Sequence, residues 1–567
     1  MAWNDRAPAE KTCGSVSANR LLLLLVVALA AALISVRFYV NSGWGGDRLL
    51  QPGEALSAYG FEHGGEDNLS YLSWIQQTRL GHFWLSDLYT TERHSSLVTN
   101  ITFYAIGRAS ALFALNPAFV FNLCGFVGAL LAVAFVFRYA VWIGFSTGAA
   151  FWASFVVAFG SGLSWVPYVL DHISGAHFGF GADMTYLDLI PSTVFHMFPD
   201  HAIALALLSF LMLSVVKLEK GLLSQASCRW RILAVFVGAL LLSMSRPYEP
   251  AAFFVVYSLY TMLPLVLRKE RAAFRARLIV WSVLAVPVIM FAAYDLWVAS
   301  HPVWSNLAEH SLNLPKNGVR RTYWILGFGF VWVLAAVGVV ETFRRKLARF
   351  ELAAVWSIFV FAVLIILNSG RSKLATGAFV SLALMAGPVL DGIWHQLFQG
   401  IGGWRTGLRV AVIAVLTGVL SPVFVHLTNR LSVPTIDPEI VFAGEQVRQD
   451  ARTDFPTVLT DREAGDLLPG LWGMRVYVGH WMLSPHCESK LKEIEVAGLE
   501  PLSQSEPSLR PETAANFDRL LNNVHPEYVM IRTSLPLAKE LKLRSPMVVV
   551  YQGSRWVVFA TRYRTPT

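Results

Sequence analysis

The sequence is poor in charge. Only 15% of its 567 residues are Asp, Glu, Lys or Arg, against about 25% in a soluble protein. Cysteine is scarce as well: Cys13, Cys124, Cys228 and Cys487 stand far apart, with no CxxC and no metal-ligand spacing. Neither a disulfide framework nor a zinc module is implied. What the chain has instead is apolar: 55% hydrophobic residues, 37 Phe and 19 Trp, with a mean hydropathy of +0.49. A water-soluble fold of this composition would expose large apolar patches. A soluble enzyme, a nucleic-acid binder and a disordered chain are excluded. The abundant rings suit a membrane–water boundary, and the chain reads as a polytopic helical membrane protein.

Apolar runs of about 17–25 residues can cross a bilayer. Eleven runs are read as spans: 20–40, 118–138, 148–168, 199–217, 231–245, 250–267, 277–298, 322–342, 351–367, 374–390 and 408–426. The first has a basic start like a signal peptide. Val36-Arg37-Phe38 offers no small-residue cleavage site, so it is kept as an anchor. The stretch 97–116 decides the sidedness of everything after it. With 97–116 lying at the surface, 19 Lys/Arg fall in inside loops and 10 in outside loops of the membrane part, as the positive-inside rule requires. Counting it as a crossing moves five of the basic clusters outside, so it is read as an interfacial helix.

The N-terminus is then cytoplasmic, and the loops 41–117, 169–198 and 299–321 lie on the outer face. The domains expected are a membrane domain over 1–429 and an extracytoplasmic domain over 430–567. The second part differs in character: from Arg430 on there are 16 Lys/Arg against 17 Asp/Glu, while the whole chain carries +8. Short β-rich runs (Pro456–Thr460, Met474–Val478, Tyr528–Arg532, Met547–Gln552, Trp556–Thr561) alternate with the helical stretches Glu488–Ala497 and Thr513–Asn523. That alternation predicts a small α/β domain. The fold class expected is an all-α membrane domain of about 11 helices with a soluble C-terminal α/β domain.

Chemistry concentrates in the outer loops. Gly64-Gly65-Glu66-Asp67-Asn68 leads into a helix-like stretch Leu69–Leu80, which puts Asp67 at a helix N-terminus just above the bilayer. Between Asp171 and His201 stand Asp171, His172, His177, Asp183, Asp188, His196, Asp200 and His201, with no Lys or Arg among them. Such groups can bind a divalent metal, but the spacing fits no metal motif, and a polar loop over a water-filled cavity is the commoner role for each of them. Cations on the same side are Arg246, Lys316, Arg320, Arg321, Arg371 and Lys373. Charges at membrane level are costly and tend to be functional; the blander role is snorkelling to headgroups. Acids opposite cations suit a lipid-linked phosphate with a reacting sugar between them, because Arg offers a fork for phosphate oxygens.

The order of these features resembles the GT-C superfamily of integral-membrane glycosyltransferases. Members carry an acid in the first extracytoplasmic loop beside two juxtamembrane helices, here Asp67 with Leu69–Leu80 and Leu97–Asn116. A second acidic motif lies between the third and fourth spans, here Asp171–Asp200. Finer pieces are similar to a bacterial branch related to protein mannosyltransferases and aminoarabinose transferases. These are Gly160-Ser161-Gly162-Leu163, Phe198-Pro199-Asp200-His201, Arg246-Pro247-Tyr248-Glu249 and Gly370-Arg371-Ser372-Lys373. In the tail, Leu468-Pro469-Gly470 and Arg475-Val476-Tyr477-Val478-Gly479-His480-Trp481 complete the set. Many relatives have His-Pro-Tyr where this chain has Arg246-Pro247-Tyr248.

The resemblance implies a sugar transferase of the plasma (inner) membrane that uses a polyprenyl-phosphate donor and inverts the anomeric centre. Asp67 would be the general base. Glu66, Asp183, Asp188, His196 and His201 would bind substrate, and Arg246, Arg371 and Lys373 would bind the donor phosphate. No cofactor is assigned, although some members use a divalent metal; acceptor and sugar stay open. His480 and Trp481 fit sugar stacking or, more often, core packing. A lipid or glycan transporter or flippase is the rival reading, but such proteins tend to show internal repeats, and none is visible. An O-antigen polymerase or ligase would place its large outer loop late in the chain, whereas these acid-bearing loops come early.

Overall fold

The computed structural model describes residues 22–25, 27–28, 65–174, 195, 198–268, 270–312, 321–366, 377–398, 405–418, 437–500, 511–544 and 547–561. Among them, six helices are long and apolar enough to cross a membrane. They are Pro117–Trp142, Pro199–Leu223, Tyr248–Val266, Arg271–Ala299, Trp324–Arg344 and Ala378–Leu397. The protein is a multi-pass membrane protein. The expected run 20–40 falls largely outside the described residues; of 408–426, the first part belongs to the helix Arg405–Thr417 and residues 419–426 lie outside. The helix Ile101–Leu112 has only 12 residues. At about 1.5 Å per residue, it falls well short of the roughly 30 Å hydrocarbon core.

The run 148–168 is not one helix, which corrects the sequence reading. Thr147–Phe159 ends at Gly160, whose φ of −71° and ψ of 146° are extended, and a new helix runs Trp165–Ser174. A hydropathy average passes over a Gly-Ser-Gly break that the backbone takes. The groups freed by the break are not left bare: Ser161 N–H donates to Thr417 O at 3.2 Å and Leu163 N–H to Leu326 O at 2.7 Å. Irregular backbone inside a membrane protein requires this kind of satisfaction. Gly329 sits against it with φ of +53° and would place a Cβ 3.2 Å from Gly162. Both the space and the torsion call for glycine there.

The chain forms two compact units. One comprises 1–39, 121–295 and 313–432; the other comprises 40–120, 296–312 and 433–567. In the first, helices pack through small residues: Gly387 meets Ala149 and Ala153, and Gly338 meets Met385, the close approach that membrane helices favour. Arg277, one of the 19 Lys/Arg that the sequence assigns to inside loops, is only 6% exposed. Its Nη2 lies 3.3 Å from Glu351 and its Nη1 donates to Tyr260 O at 2.8 Å, with the Tyr260 ring 3.5 Å beneath. Glu219 in turn accepts from the Tyr257 and Tyr260 hydroxyls at 2.6 and 3.1 Å. Buried charges persist only when paired and hydrogen-bonded in this way.

The second unit holds a five-stranded mixed sheet of order β2-β1-β3-β5-β4. The strands are β1 (Thr457–Leu459), β2 (Arg475–Val476), β3 (Tyr528–Arg532), β4 (Met547–Gln552) and β5 (Trp556–Thr561). β1 runs parallel to β2 and β3, while β5 pairs antiparallel with both β3 and β4. Phe517, Val529, Ile531, Val557 and Phe559 fill the core between this sheet and its helices. All five strands lie where the sequence expects them. The chain between residues 85 and 90 continues the β2 edge, since Val476 N–H donates to Leu88 O at 2.9 Å.

Candidate functional site

The helix Gly65–Arg79 begins with Glu66 and Asp67, acids that a helix N-terminus favours. Asn68, Leu69, Leu72, Ser73 and Ile75 bury one face. Thr78 Oγ1 donates to Phe103 O at 2.9 Å and Gln76 Nε2 to Leu471 O at 2.7 Å. Helix Ile101–Leu112 and helix Arg462–Trp472 therefore clamp this helix from two sides within one unit. The Asp67 side chain is 47% exposed, with Oδ1 3.4 Å from His480 Nε2. His480 itself is buried. Its Nδ1 accepts the backbone N–H groups of Met482 and Leu483 at 3.2 and 3.3 Å.

Behind this pair lies a second carboxyl, and this one is buried. Asp87 is 2% exposed and accepts the Tyr89 N–H at 2.8 Å. His94 Nε2 accepts the Asp87 N–H at 2.9 Å, and His94 Nδ1 meets Glu92 O at 2.8 Å. Lys490 Nζ reaches Glu92 at 2.9 Å and Thr90 Oγ1 at 3.1 Å. Burial pushes the Asp87 carboxyl up to about 7, against the Tyr89 N–H and the charges of Lys490 and Arg475, which pull it down. Burial also lowers Arg475, which Asp87 partly offsets.

A raised carboxyl means the folded state holds a proton that the unfolded chain releases near pH 4. The stability it lends is complete below that pH and is lost as pH rises towards about 7. Thermal unfolding of the purified protein should therefore weaken across that window. Asp87→Asn should flatten the slope, and an unchanged slope in the variant would refute the assignment.

In the other unit, two proline-marked turns meet. Pro199 opens the helix Pro199–Leu223, with Asp200 in its first turn. Arg246 ends the helix Arg229–Ser245 in an extended conformation, and Pro247 restarts the chain as helix Tyr248–Leu263 with Glu249 in its first turn. Proline at a helix start is pre-set for this, because its missing N–H was an orphan anyway. Arg246 Nη1 lies 2.8 Å from Asp200 Oδ2 and its Nε lies 2.7 Å from Glu249 Oε1. His201 stacks on Phe198 at 4.9 Å, its Nε2 3.6 Å from Asp200 Oδ2. Two carboxylates thus share one guanidinium, all three groups buried or nearly so. Asp200 Oδ1 and Glu249 Oε2 meet no hydrogen-bond partner among the described residues. Gly125 makes room for this turn: a Cβ there would lie 2.6 Å from Pro199 Cα.

No family model matches the sequence, and no curated protein is similar to it. Solved structures are. The Archaeoglobus fulgidus oligosaccharyltransferase in its apo form superposes with a TM-score of 0.54 at 12% identity, over 90% of this chain and 69% of that one. The same enzyme tethered to an acceptor peptide containing the NVT sequon gives 0.52 at 13%. ArnT from Cupriavidus metallidurans, bound to undecaprenyl phosphate, gives 0.49 at 14%, over 95% and 98% of the two chains. The fold is that of the GT-C membrane glycosyltransferases.

In this GT-C chain Asp67 stands in the first turn of the helix Gly65–Arg79, which starts four residues before the expected stretch Leu69–Leu80. His201 and Arg246 come together, joined by Asp200 and Glu249. Asp183, Asp188, His196, Arg371 and Lys373 lie outside the described residues, as do the side chains of Glu66, Asp171 and His172. Among the described residues no three His, Cys, Asp or Glu side chains gather as metal ligands, and no step is assigned to a metal. Sequence reading named Asp200 among the acids of the second outer loop, Glu249 only within a motif, and Asp87 not at all. The available signal was the pair of Pro-flanked acids, each entering a helix beside an apolar run.

Proposed function

We propose that this chain is a membrane glycosyltransferase that moves a sugar from a polyprenyl-phosphate donor to an acceptor on the extracytoplasmic face. The observation that carries the reading is a half-exposed carboxylate, Asp67, backed by a buried imidazole in a chain of GT-C fold. It is supported by the fold's likeness, with a TM-score of 0.53, to an archaeal oligosaccharyltransferase in complex with dolichol-phosphate. Asp67 takes the proton of an acceptor hydroxyl or amine as that atom attacks the anomeric carbon. The sugar–phosphate bond breaks on the opposite face, so configuration inverts and polyprenyl phosphate leaves. Arg371, Lys373 and Arg246 balance the charge that develops on the leaving phosphate. Glu66, Asp183, Asp188, His196 and His201 hold the sugar and acceptor. The N-terminus is cytoplasmic and residues 430–567 lie outside.

The reading is tested by supplying the purified protein in nanodiscs with a panel of polyprenyl-phosphate sugars and membrane extract as acceptor. Release of polyprenyl phosphate from one donor is expected, with the labelled sugar recovered on an acceptor. Bilayer translocation of labelled donor without release would replace the transferase with a transporter.

A further inference from the structure

We infer that His480 is a positioning residue for Asp67, its Nε2–H holding one carboxylate oxygen so that the other faces the acceptor. The inference rests on the reading of Asp67 as base and adds to it a residue from the far end of the sequence. The geometry fixes the tautomer. Nδ1 of His480 accepts two backbone N–H groups, from Met482 at 3.2 Å and from Leu483 at 3.3 Å, so it carries no proton. The ring proton of the neutral imidazole therefore sits on Nε2. That atom is buried and forms no hydrogen bond within the described residues. The carboxylate oxygen facing it is Asp67 Oδ1, at 3.4 Å.

The ring is also locked in place. His480 packs against Tyr89 at 5.7 Å between centroids and stacks on Trp481 at 6.3 Å. Its loop is closed by Ser484, whose Oγ accepts from Gly479 N–H at 3.0 Å and donates to Tyr89 O at 2.9 Å. A merely structural histidine spends both nitrogens inside the protein; this one spends Nδ1 on the backbone and aims Nε2 at a half-exposed acid. The 3.4 Å separation is longer than an N–H···O bond. Catalytic contacts of this kind are often long without substrate and close in the reacting complex. Other charges near the ring are Asp87 behind it, with Lys490 and Arg475 beyond, none of which reaches Asp67 in the structure.

The test compares transfer by wild type, His480→Gln, His480→Asn, His480→Ala and Asp67→Asn in nanodiscs. Gln presents an amide N–H near the position of Nε2, whereas Asn is one methylene too short. His480→Ala and His480→Asn are expected to lower kcat about 10- to 100-fold with donor KM unchanged, and His480→Gln to stay within about threefold of wild type. Adding His480→Ala to Asp67→Asn should cost less than about threefold further, because a residue acting through Asp67 has nothing left to position. Full additivity, or equal losses for Gln and Asn, would overturn the role of His480. Wild-type rates in His480→Ala would overturn it while leaving Asp67 in place. Wild-type rates in Asp67→Asn would instead remove the base reading on which it stands.

Discussion

Asp67→Asn should lower the rate of sugar transfer by about 10²- to 10⁴-fold, the range a general base supplies. Donor and acceptor KM should hardly move. The substitution is close to isosteric, and the lost interaction with the helix N-terminus is worth under about 1 kcal/mol at an exposed position. Folding should therefore be retained, and an unchanged unfolding midpoint would verify that. What the amide cannot do is accept the acceptor's proton as the new glycosidic bond forms. A loss confined to kcat marks an interaction made in the transition state and not in the ground state. Single-turnover transfer with labelled donor separates the chemical step from product release. A kcat within threefold of wild type would remove Asp67 as base and turn attention to Asp183 and Asp188.

The parts of this architecture that are local in sequence were legible, and the parts that depend on distant pairing were not. Tyr528–Arg532 and Trp556–Thr561 are short β-branched and aromatic runs, so their strands could be placed without a structure. The helices Pro438–Asp450 and Arg462–Trp472 were missed although their signals are present. Asp437 and Asp461 cap them with side-chain oxygens on Glu439 N–H and Ala464 N–H, and Gly473 closes the second with φ of +70°. The place of Asp67 at a helix start was legible from the first loop. His480 lies more than 400 residues on, and nothing in either local sequence announces that the two side chains meet. Arg277 was misread for a related reason: a basic residue near a span end looks like a loop charge until Glu351, 74 residues away, is brought beside it.

Removing Arg246 should destabilise the membrane unit by about 3–5 kcal/mol, the scale for stripping the partner from a buried ion pair. Here the loss strands two acids at once, Asp200 at 6% and Glu249 at 2% exposure. Arg246→Met keeps most of the volume and isolates the charge. Arg246→Lys should recover little, because a single ammonium cannot span the two carboxylates as the guanidinium does with Nη1 on one and Nε on the other. The informative variant is the triple one, Arg246→Met with Asp200→Asn and Glu249→Gln, which removes the unpaired charges and should restore most of the lost stability. The same set probes the proposed donor contact. One guanidinium between two carboxylates leaves the cluster formally negative, so a phosphate gains from Arg246 only if it displaces an acid. If the triple variant folds and its donor KM matches wild type, Arg246 serves the helix junction alone, and Arg371 and Lys373 carry the phosphate. If donor KM rises tenfold or more in a well-folded triple variant, Arg246 reaches the donor directly.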